Sequence, residues 1–525
     1  MLVKTNSSTI LGVSAQLITI EVSVSRGIRY YIVGLPDTSV RESLQRIESA
    51  IGNSGFHMPR QKIVVNLAPA YLRKEGSAFD LAISIGILAA SKQLDSTKLG
   101  GDMLLVGELS LGGELLPVRG VLAMTLMAQA QGFSTVLVPR LNAAEAGMVE
   151  GINVYGMSNL HEAVTFIENG HEYPSDLTQG KILTLDQSFN SEEEEISEKE
   201  DEELDFSDVK GQTAAKRALE IAAAGGHNVL LYGPPGAGKS MLARLIPSIL
   251  PPLSPAERLE TTQLYSAVGR LAPGQEPIRN RPFRAPHHTI SSSAFGGGGS
   301  SPYPGEISLA HNGVLFLDEL PEFKRHVLEI LRQPLENRMI SITRAKLTVE
   351  YPADFILVAA MNPCPCGFLN HPTRACTCGP QLVRQYISRI SGPLLDRIDM
   401  HIDVHPVSYD ELTSPNKGES SANIRQRVQA ARQIQALRFA NSSIPVFQNS
   451  KMQHHQVGMH TALKPDGKAF LRMAMEKLSL SARAHDRILK LARTIADLGG
   501  SQDIQTEHLA EALQYRGLDR HHWLT

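Results

Sequence analysis

The chain has 525 residues, 42% hydrophobic and 20% charged, so it is long enough for more than one core and has a globular composition. No apolar run reaches the roughly 18 residues of a membrane span, the longest candidate being Leu81 to Ala90, and the opening MLVKTNSSTI lacks the layout of a secretory signal. A reducing cytoplasm is therefore the expected setting, with no membrane partner and no presumption of disulfides.

In chain order, residues 1–170 read as a mixed α/β domain. β-rich runs occur at Leu17–Val24, Arg29–Val33, Lys62–Asn66 and Met103–Gly107, and again at Thr135–Val138. Helical patterns occupy Ser39–Ser54 and Ala78–Ala90, and the run from Leu122 to Gln131 leads into Thr135–Val138. The strings Glu75-Gly-Ser-Ala-Phe-Asp-Leu-Ala82 and Val106 to Val121 are similar to the Lon-type (S5-type) protease fold. That resemblance implies a Ser–Lys dyad, in which a lysine of lowered pKa activates the serine. It places Ala78 at the nucleophile position and Leu122 at the lysine position. Alanine cannot attack and leucine cannot take a proton. Ser77 is adjacent but out of register, and Lys74 is no obvious replacement, so the domain is expected to bind or assemble rather than to cleave.

Residues 171–205 read as a flexible acidic linker. Between Glu192 and Glu203, eight Glu and Asp201 stand against Lys199, a net of −8. Like charges with nothing to bury keep such a segment solvated. The whole chain carries −3, so the remainder is +5, a balance compatible with a polyanion partner but not requiring one.

Residues 206–410 alternate strand and helix, the pattern of a parallel sheet with crossover helices. Asn228–Tyr232, Gly313–Leu317 and Phe355–Ala360 read as strands and Lys239–Ile249 as a helix. Gly233, Pro234, Pro235, Gly236, Ala237, Gly238, Lys239 and Ser240 match the phosphate loop G-x-x-x-x-G-K-[ST] and sit between a β run and a helix. Glycines let backbone N–H groups surround phosphate oxygens, and the helix start adds its positive end. Lys239 reaches the β/γ-phosphates and Ser240 ligates Mg²⁺ in such loops. The apolar strand Val314 to Leu317 ends in Asp318 and Glu319, expected as Mg²⁺ ligand and general base. A further strand delivers Asn362, a polar amide suited to orienting water near the γ-phosphate, or else a turn residue before Pro363. Residues 411–525 then turn helical at Ala422–Phe439, Pro465–Leu478, Ser481–Leu498 and Gln505–Gln514, read as a small lid domain.

Several features lie within and beyond this frame. All four cysteines fall in one loop, 364–378, as Cys364-Pro-Cys366 and Cys376-Thr-Cys378. Four thiolates are the donor set of a structural Zn²⁺ site. The spacing is C-x-C rather than C-x-x-C, so two disulfides or four inert thiols stay open as alternatives, with His371 as a substitute ligand. Two inserted segments are candidates for gripping DNA: the Gly-rich string Ala294 to Tyr303, with Phe295 and Tyr303 for stacking, and the hairpin pattern Arg338 to Val349, with Arg344 and Lys346. The alternative for that hairpin is a plain solvated face. The histidine pairs His287-His288, His454-His455 and His521-His522 read as hydrogen-bonded or exposed residues, since neighbours on a strand point to opposite faces.

Taken with Asp208-Val-Lys-Gly-Gln212, Arg284-Ala-Pro-His-His-Thr-Ile290, Pro304 to His311, Leu317 to Phe323 and Ser391 to Asp399, these motifs resemble AAA+ ATPases of the magnesium-chelatase-like ComM/YifB family, along nearly the whole chain. The resemblance implies an ATP- and Mg²⁺-dependent homo-hexameric ring. On it Asn362 corresponds to sensor 1, Arg397 to the arginine finger acting across subunits (with Arg389 as competitor), and Arg483 to sensor 2. A guanidinium's rigid fork of donors suits such phosphate contacts, the alternative being that these arginines form surface or interface salt bridges. It further implies a helicase or branch-migration motor on single-stranded or branched DNA, integrating incoming strands by homologous recombination during natural transformation, with recombination proteins as further partners. Two other classes share the motor: a magnesium-chelatase subunit, against which the N-terminal domain is expected to speak, and a protein-remodelling chaperone.

Overall fold

The computed structural model describes residues 1–170, 205–272, 274–299, 302–344, 347–369, 371, 373–413, 418–440, 448–478 and 480–517. The acidic linker, apart from residue 205, together with Lys346 and the pair His521-His522, lies outside the described residues. No helix among the described residues is long and apolar enough to cross a membrane. The chain forms two compact units, the first from residues 1–170 with Ser254–Arg279, the second from residues 205–253 with 280–517.

The first unit is built on a seven-stranded sheet. Its strands are β1 (Leu2–Leu11), β2 (Ser14–Ser25), β3 (Tyr30–Val33), β4 (Lys62–Ala68), β5 (Met103–Leu105), β6 (Thr135–Pro139) and β7 (Asn153–Met157), in the order β3-β4-β2-β1-β5-β6-β7. β1 and β2 pair antiparallel from Leu2↔Ser23 to Leu11↔Ser14, turning at Gly12, whose φ is +68°. The sequence reading missed β1 because its inward positions are polar: Thr5 and Ser7 are buried, and Thr5 Oγ1 donates to Ala82 O at 3.0 Å. Helices α1 (Thr38–Asn53), α2 (Asp80–Ala90) and α3 (Val121–Ala130) cover the sheet. Every residue of α2 is buried, as a helix without a polar stripe must be. Gly86 lets α2 approach β2, since a Cβ there would stand 2.7 Å from Val22 Cγ2.

Ser254–Arg279 lies inside the 206–410 span read as the motor core, yet it folds with this first unit. The reason is packing that the local pattern cannot show. Leu259, on the helix Pro255–Ala267, packs against the cluster of Val121, Leu122 and Met124, and Gly120 N donates to Ser266 O at 3.1 Å.

The second unit holds a five-stranded, fully parallel sheet: β8 (Val229–Tyr232), β9 (Phe283–Arg284), β10 (Val314–Leu317), β13 (Ile356–Met361) and β14 (Met400–Asp403), in the order β9-β10-β13-β8-β14; between β10 and β13 in the chain comes the antiparallel hairpin of β11 (Met339–Arg344) and β12 (Leu347–Pro352). β10 and β13 are buried throughout, which is why they read as continuous apolar runs. The unit's longest helices among the described residues are α4 (Thr213–Gly225), α5 (Lys239–Ile249), α6 (Ser421–Phe439), α7 (Pro465–Leu478), α8 (Ala482–Leu498) and α9 (Thr506–Gln514). The last four sit where the helical tail was expected. Ser420 and Ser481 cap α6 and α8 by accepting from the N–H of Asn423 and Ala484. Buried Asp497 ties these two helices together, accepting from Arg438 Nη1 at 2.8 Å and Arg493 Nε at 3.1 Å.

Candidate active site

In a parallel sheet the C-terminal strand ends open onto one crevice, and ligands bind there. β8, β10 and β13 are neighbours in the sheet, and their C-terminal ends carry Gly233–Ser240, Asp318–Glu319 and Asn362 respectively. The loop turns through Gly236 (φ +76°) and Gly238 (φ +87°), and a Cβ on either would meet nothing within 4 Å. These glycines are therefore needed for their backbone conformation. Gly233 is needed for space instead, since its Cβ would stand 2.1 Å from Val404 O.

Lys239 opens α5 and is buried, its Nζ donating to Gly233 O at 2.8 Å, Pro234 O at 2.9 Å and Asn362 Oδ1 at 3.2 Å. Burial lowers its pKa, while the Asp318 carboxylate pulls the other way. Ser240 Oγ donates to Asp318 Oδ2 at 2.7 Å, so the hydroxyl at the helix start and the carboxylate at the strand end form one hard-oxygen pair. Asp318 Oδ1 accepts from Glu319 N at 2.9 Å. Glu319 itself is in the left-handed region at φ +51°, a conformation that costs a non-glycine residue about 1–3 kcal/mol and clusters at functional sites. Its Oε2 lies 3.1 Å from His288 Nδ1, whose ring is tilted by 34° against that of His287 at a centroid distance of 4.1 Å.

The motif reading assigned no role to His288, nor to Gln212, whose Nε2 donates to Ala237 O at 3.2 Å and His405 O at 2.5 Å. Gln212, with φ +54°, precedes α4 without capping it through its side chain, which instead steadies the loop from outside. Both residues belong to strings noticed only as family marks. Chemically, the assembled site offers a glycine-turned loop at a helix start, a cation, a hydroxyl–carboxylate pair and a separate carboxylate, the parts that phosphoryl transfer to water requires.

Three family models match the chain: magnesium chelatase, subunit ChlI, over residues 205–412; its C-terminal part over 418–516; and subunit ChlI of Mg-chelatase over 20–142. The chain is 44% identical to competence protein ComM of Haemophilus influenzae, over 97% of this chain and 96% of that one. It belongs to the ComM/YifB family of magnesium-chelatase-like AAA+ ATPases. YifB of Escherichia coli is 42% identical over the same shares of the two chains. The magnesium-chelatase 38 kDa subunit of Acidiphilium rubrum is 28% identical over 30% of this chain and 52% of its own.

In this ComM/YifB chain the arginines differ in setting. Arg397 is buried, donating from Nη1 to Pro393 O at 2.6 Å and from Nη2 to Glu336. Arg389 is half-exposed and donates to Glu322 Oε2 at 2.9 Å. Arg483 is exposed in the first turn of α8. The four cysteines converge, with Sγ–Sγ separations of 3.4 Å (364–366), 3.5 Å (366–376) and 3.6 Å (364–376), and all four sulfurs lie within 4.8 Å of one another. Sulfurs about 2.3 Å from a tetrahedral Zn²⁺ are separated by roughly 3.8 Å, so the donor set fits. Backbone N–H groups, that of Phe368 foremost, lower the pKa of Cys366, whereas the pKa values of Cys364, Cys376 and Cys378 are raised. His371 is not among these ligands; its Nδ1 accepts from the N–H of Thr373 and Arg374 at 3.2 Å.

One expected DNA contact is corrected. Phe295 is fully buried, because Ser291 caps a one-turn helix, Ser292–Gly296, that turns the ring inward against Phe323 at 6.3 Å. It offers no face for stacking. Tyr303 is half-exposed and pairs with Gly298. Arg344 ends β11 opposite Leu347, at the turn of the expected hairpin.

Proposed function

We propose that the chain is an ATP-hydrolysing hexameric motor that moves branched or single-stranded DNA and promotes strand integration by homologous recombination in the cytoplasm. The observation that carries the ATPase part is the 2.7 Å contact between Ser240 Oγ and Asp318 Oδ2, which joins the phosphate loop to the acidic strand end. On this reading Ser240 and Asp318 hold Mg²⁺, which neutralises the β- and γ-phosphate charge when bound. Lys239 exchanges the loop carbonyls for phosphate oxygens. Glu319 accepts the proton of the attacking water and Asn362 orients that water. An arginine from a neighbouring subunit supplies charge to the transition state. Arg397 is the first choice; it has to leave Glu336 to do so, whereas Arg389 has to leave Glu322. Arg483, exposed on α8, is free to face an adjoining subunit as sensor 2, and the C-terminal helices serve as the lid.

The DNA part rests on kinship with a competence protein along nearly the whole chain. Tyr303, with Arg344 and Lys346 of the segment Arg338 to Val349, is the proposed grip. The chelatase alternative is favoured by the family descriptions, and since one of them covers residues 20–142, the N-terminal domain does not exclude it. Against it stands extent, because the chelatase relative covers only 30% of the chain. A Lon-like reading of the first unit is supported by Ala78 packing against the apolar cluster to which Leu122 belongs.

ATP turnover by the full chain should rise several-fold with forked DNA, and Glu319→Gln should lower it by about two to four orders of magnitude with nucleotide still bound. Wild-type turnover in E319Q would overturn the active site; indifference to every DNA, with a response to a porphyrin-inserting partner or to unfolded protein, would overturn the substrate.

A further inference from the structure

The cysteine loop does more than sit beside the nucleotide site. Its chain leaves β13 at Asn362, whose Oδ1 accepts from Lys239 Nζ at 3.2 Å, and reaches the buried Cys364 two residues later. The turn through Cys364 and Cys366 closes with Gly367 N donating to Cys364 O at 2.9 Å. Gly367, at φ +83°, is pressed against the phosphate loop itself. A Cβ there would stand 2.6 Å from Pro235 Cδ and 3.2 Å from Pro235 Cγ, both atoms of a rigid ring. The second cysteine pair precedes Gly379 and the helix Pro380–Ile387. Few side chains are buried among the described residues of 364–378: the Phe368 ring meets His371 and Arg374, Cys366, Cys376 and Cys378 are only partly buried, and Cys364 is buried. Such a loop takes its rigidity from cross-links when it has no core of its own.

We propose that a Zn²⁺ held by Cys364, Cys366, Cys376 and Cys378 braces the phosphate loop, so that the affinity of the chain for ATP depends on the metal. Joining the two cysteine pairs fixes the turn at Gly367, which backs Pro235, and fixes the exit from β13, which places Asn362 beside Lys239. Without the metal both contacts lose their support, and the loop has to be ordered at the expense of nucleotide binding. The inference rests on the metal reading of the cysteines and goes beyond it, because a merely structural zinc knuckle would leave nucleotide affinity alone.

The test measures zinc content and the Kd of a fluorescent ATP analogue, with Mg²⁺, on the full chain. The chain should hold one zinc, bind at least about ten-fold more weakly after removal of zinc by a zinc-selective chelator, and recover on adding Zn²⁺. Gly367→Ala should keep its zinc yet weaken binding, since the methyl group pushes on Pro235 while the thiolates stay intact. Cys376→Ser should lose both. A chain that neither carries nor takes up zinc overturns the metal reading and the brace with it. A chain that loses zinc and binds nucleotide unchanged overturns the brace alone, as does wild-type affinity in G367A.

Discussion

His288 Nδ1 lies 3.1 Å from Oε2 of Glu319, a residue whose backbone is already held at φ +51°. A side chain in that strained position is aimed by what surrounds it, and the imidazole is the partner that touches its carboxylate end. His288→Ala should therefore lower kcat by about three- to ten-fold, the scale of one net hydrogen bond, and leave the Kd for ATP unchanged. Steady-state kinetics beside nucleotide titration separate this from a general loss of folding, which would move both.

Lys239 satisfies two loop carbonyls and Asn362 at once, so its removal leaves the loop without a cation. Lys239→Ala should weaken ATP binding by about a hundred-fold, roughly 3 kcal/mol, which fluorescence titration would read directly. Gln212→Ala should weaken it less, because only the outer support of Ala237 is lost.

Phe295 and Tyr303 flank the same Gly-rich string and should behave in opposite ways. Phe295→Ala removes a fully buried ring and should cost about 3–5 kcal/mol of stability, seen as a lowered Tm. Tyr303→Ala, at an exposed position, should change stability by less than about 0.5 kcal/mol and should weaken DNA stimulation of ATP turnover.

Asp399 and Asp80 should bend stability with pH in opposite senses. Burial disfavours the Asp399 carboxylate, but the Arg487 guanidinium and then His227 outweigh it and hold the pKa well below the ordinary range. Its stabilisation is complete above about pH 4 and is lost as pH falls toward the folded-state value. Burial pushes Asp80 up to about 6 despite its ion pair with Arg46, so the cost of its charge is absent below about pH 4 and grows as pH rises through 6. Thermal unfolding followed against pH should show Asp399→Asn with a flattened acid limb and a loss of roughly 3 kcal/mol at neutral pH. Asp80→Asn should remove the decline between about pH 4 and pH 6.

Although the short helix His454–His460 was not legible without coordinates, the strand–loop–helix around Lys239, the acidic end of β10, the confinement of the cysteines and the helices α6 to α9 were. Each is written in consecutive residues: a turn that only glycine tolerates, an apolar run of strand length, a serine cap before a 3.6-residue period. β1 was not legible, since polar Thr5 and Ser7 face inward and break the alternation. Phe295 misled because four glycines imitate a flexible loop, while the cap at Ser291 draws the ring into the core.

Local chemistry was thus enough to name the nucleotide loop, the paired acids and the thiolate cluster, because their groups are neighbours along the chain or stand at strand ends that any parallel sheet brings together. Folding in three dimensions alone determined that His288 meets Glu319, that Gly367 backs onto Pro235, that Glu336 holds Arg397, and that Ser254–Arg279 joins the first unit. Those contacts link residues far apart in the chain, and which distant surfaces become adjacent depends on how the buried faces pack, a property no short stretch of residues carries.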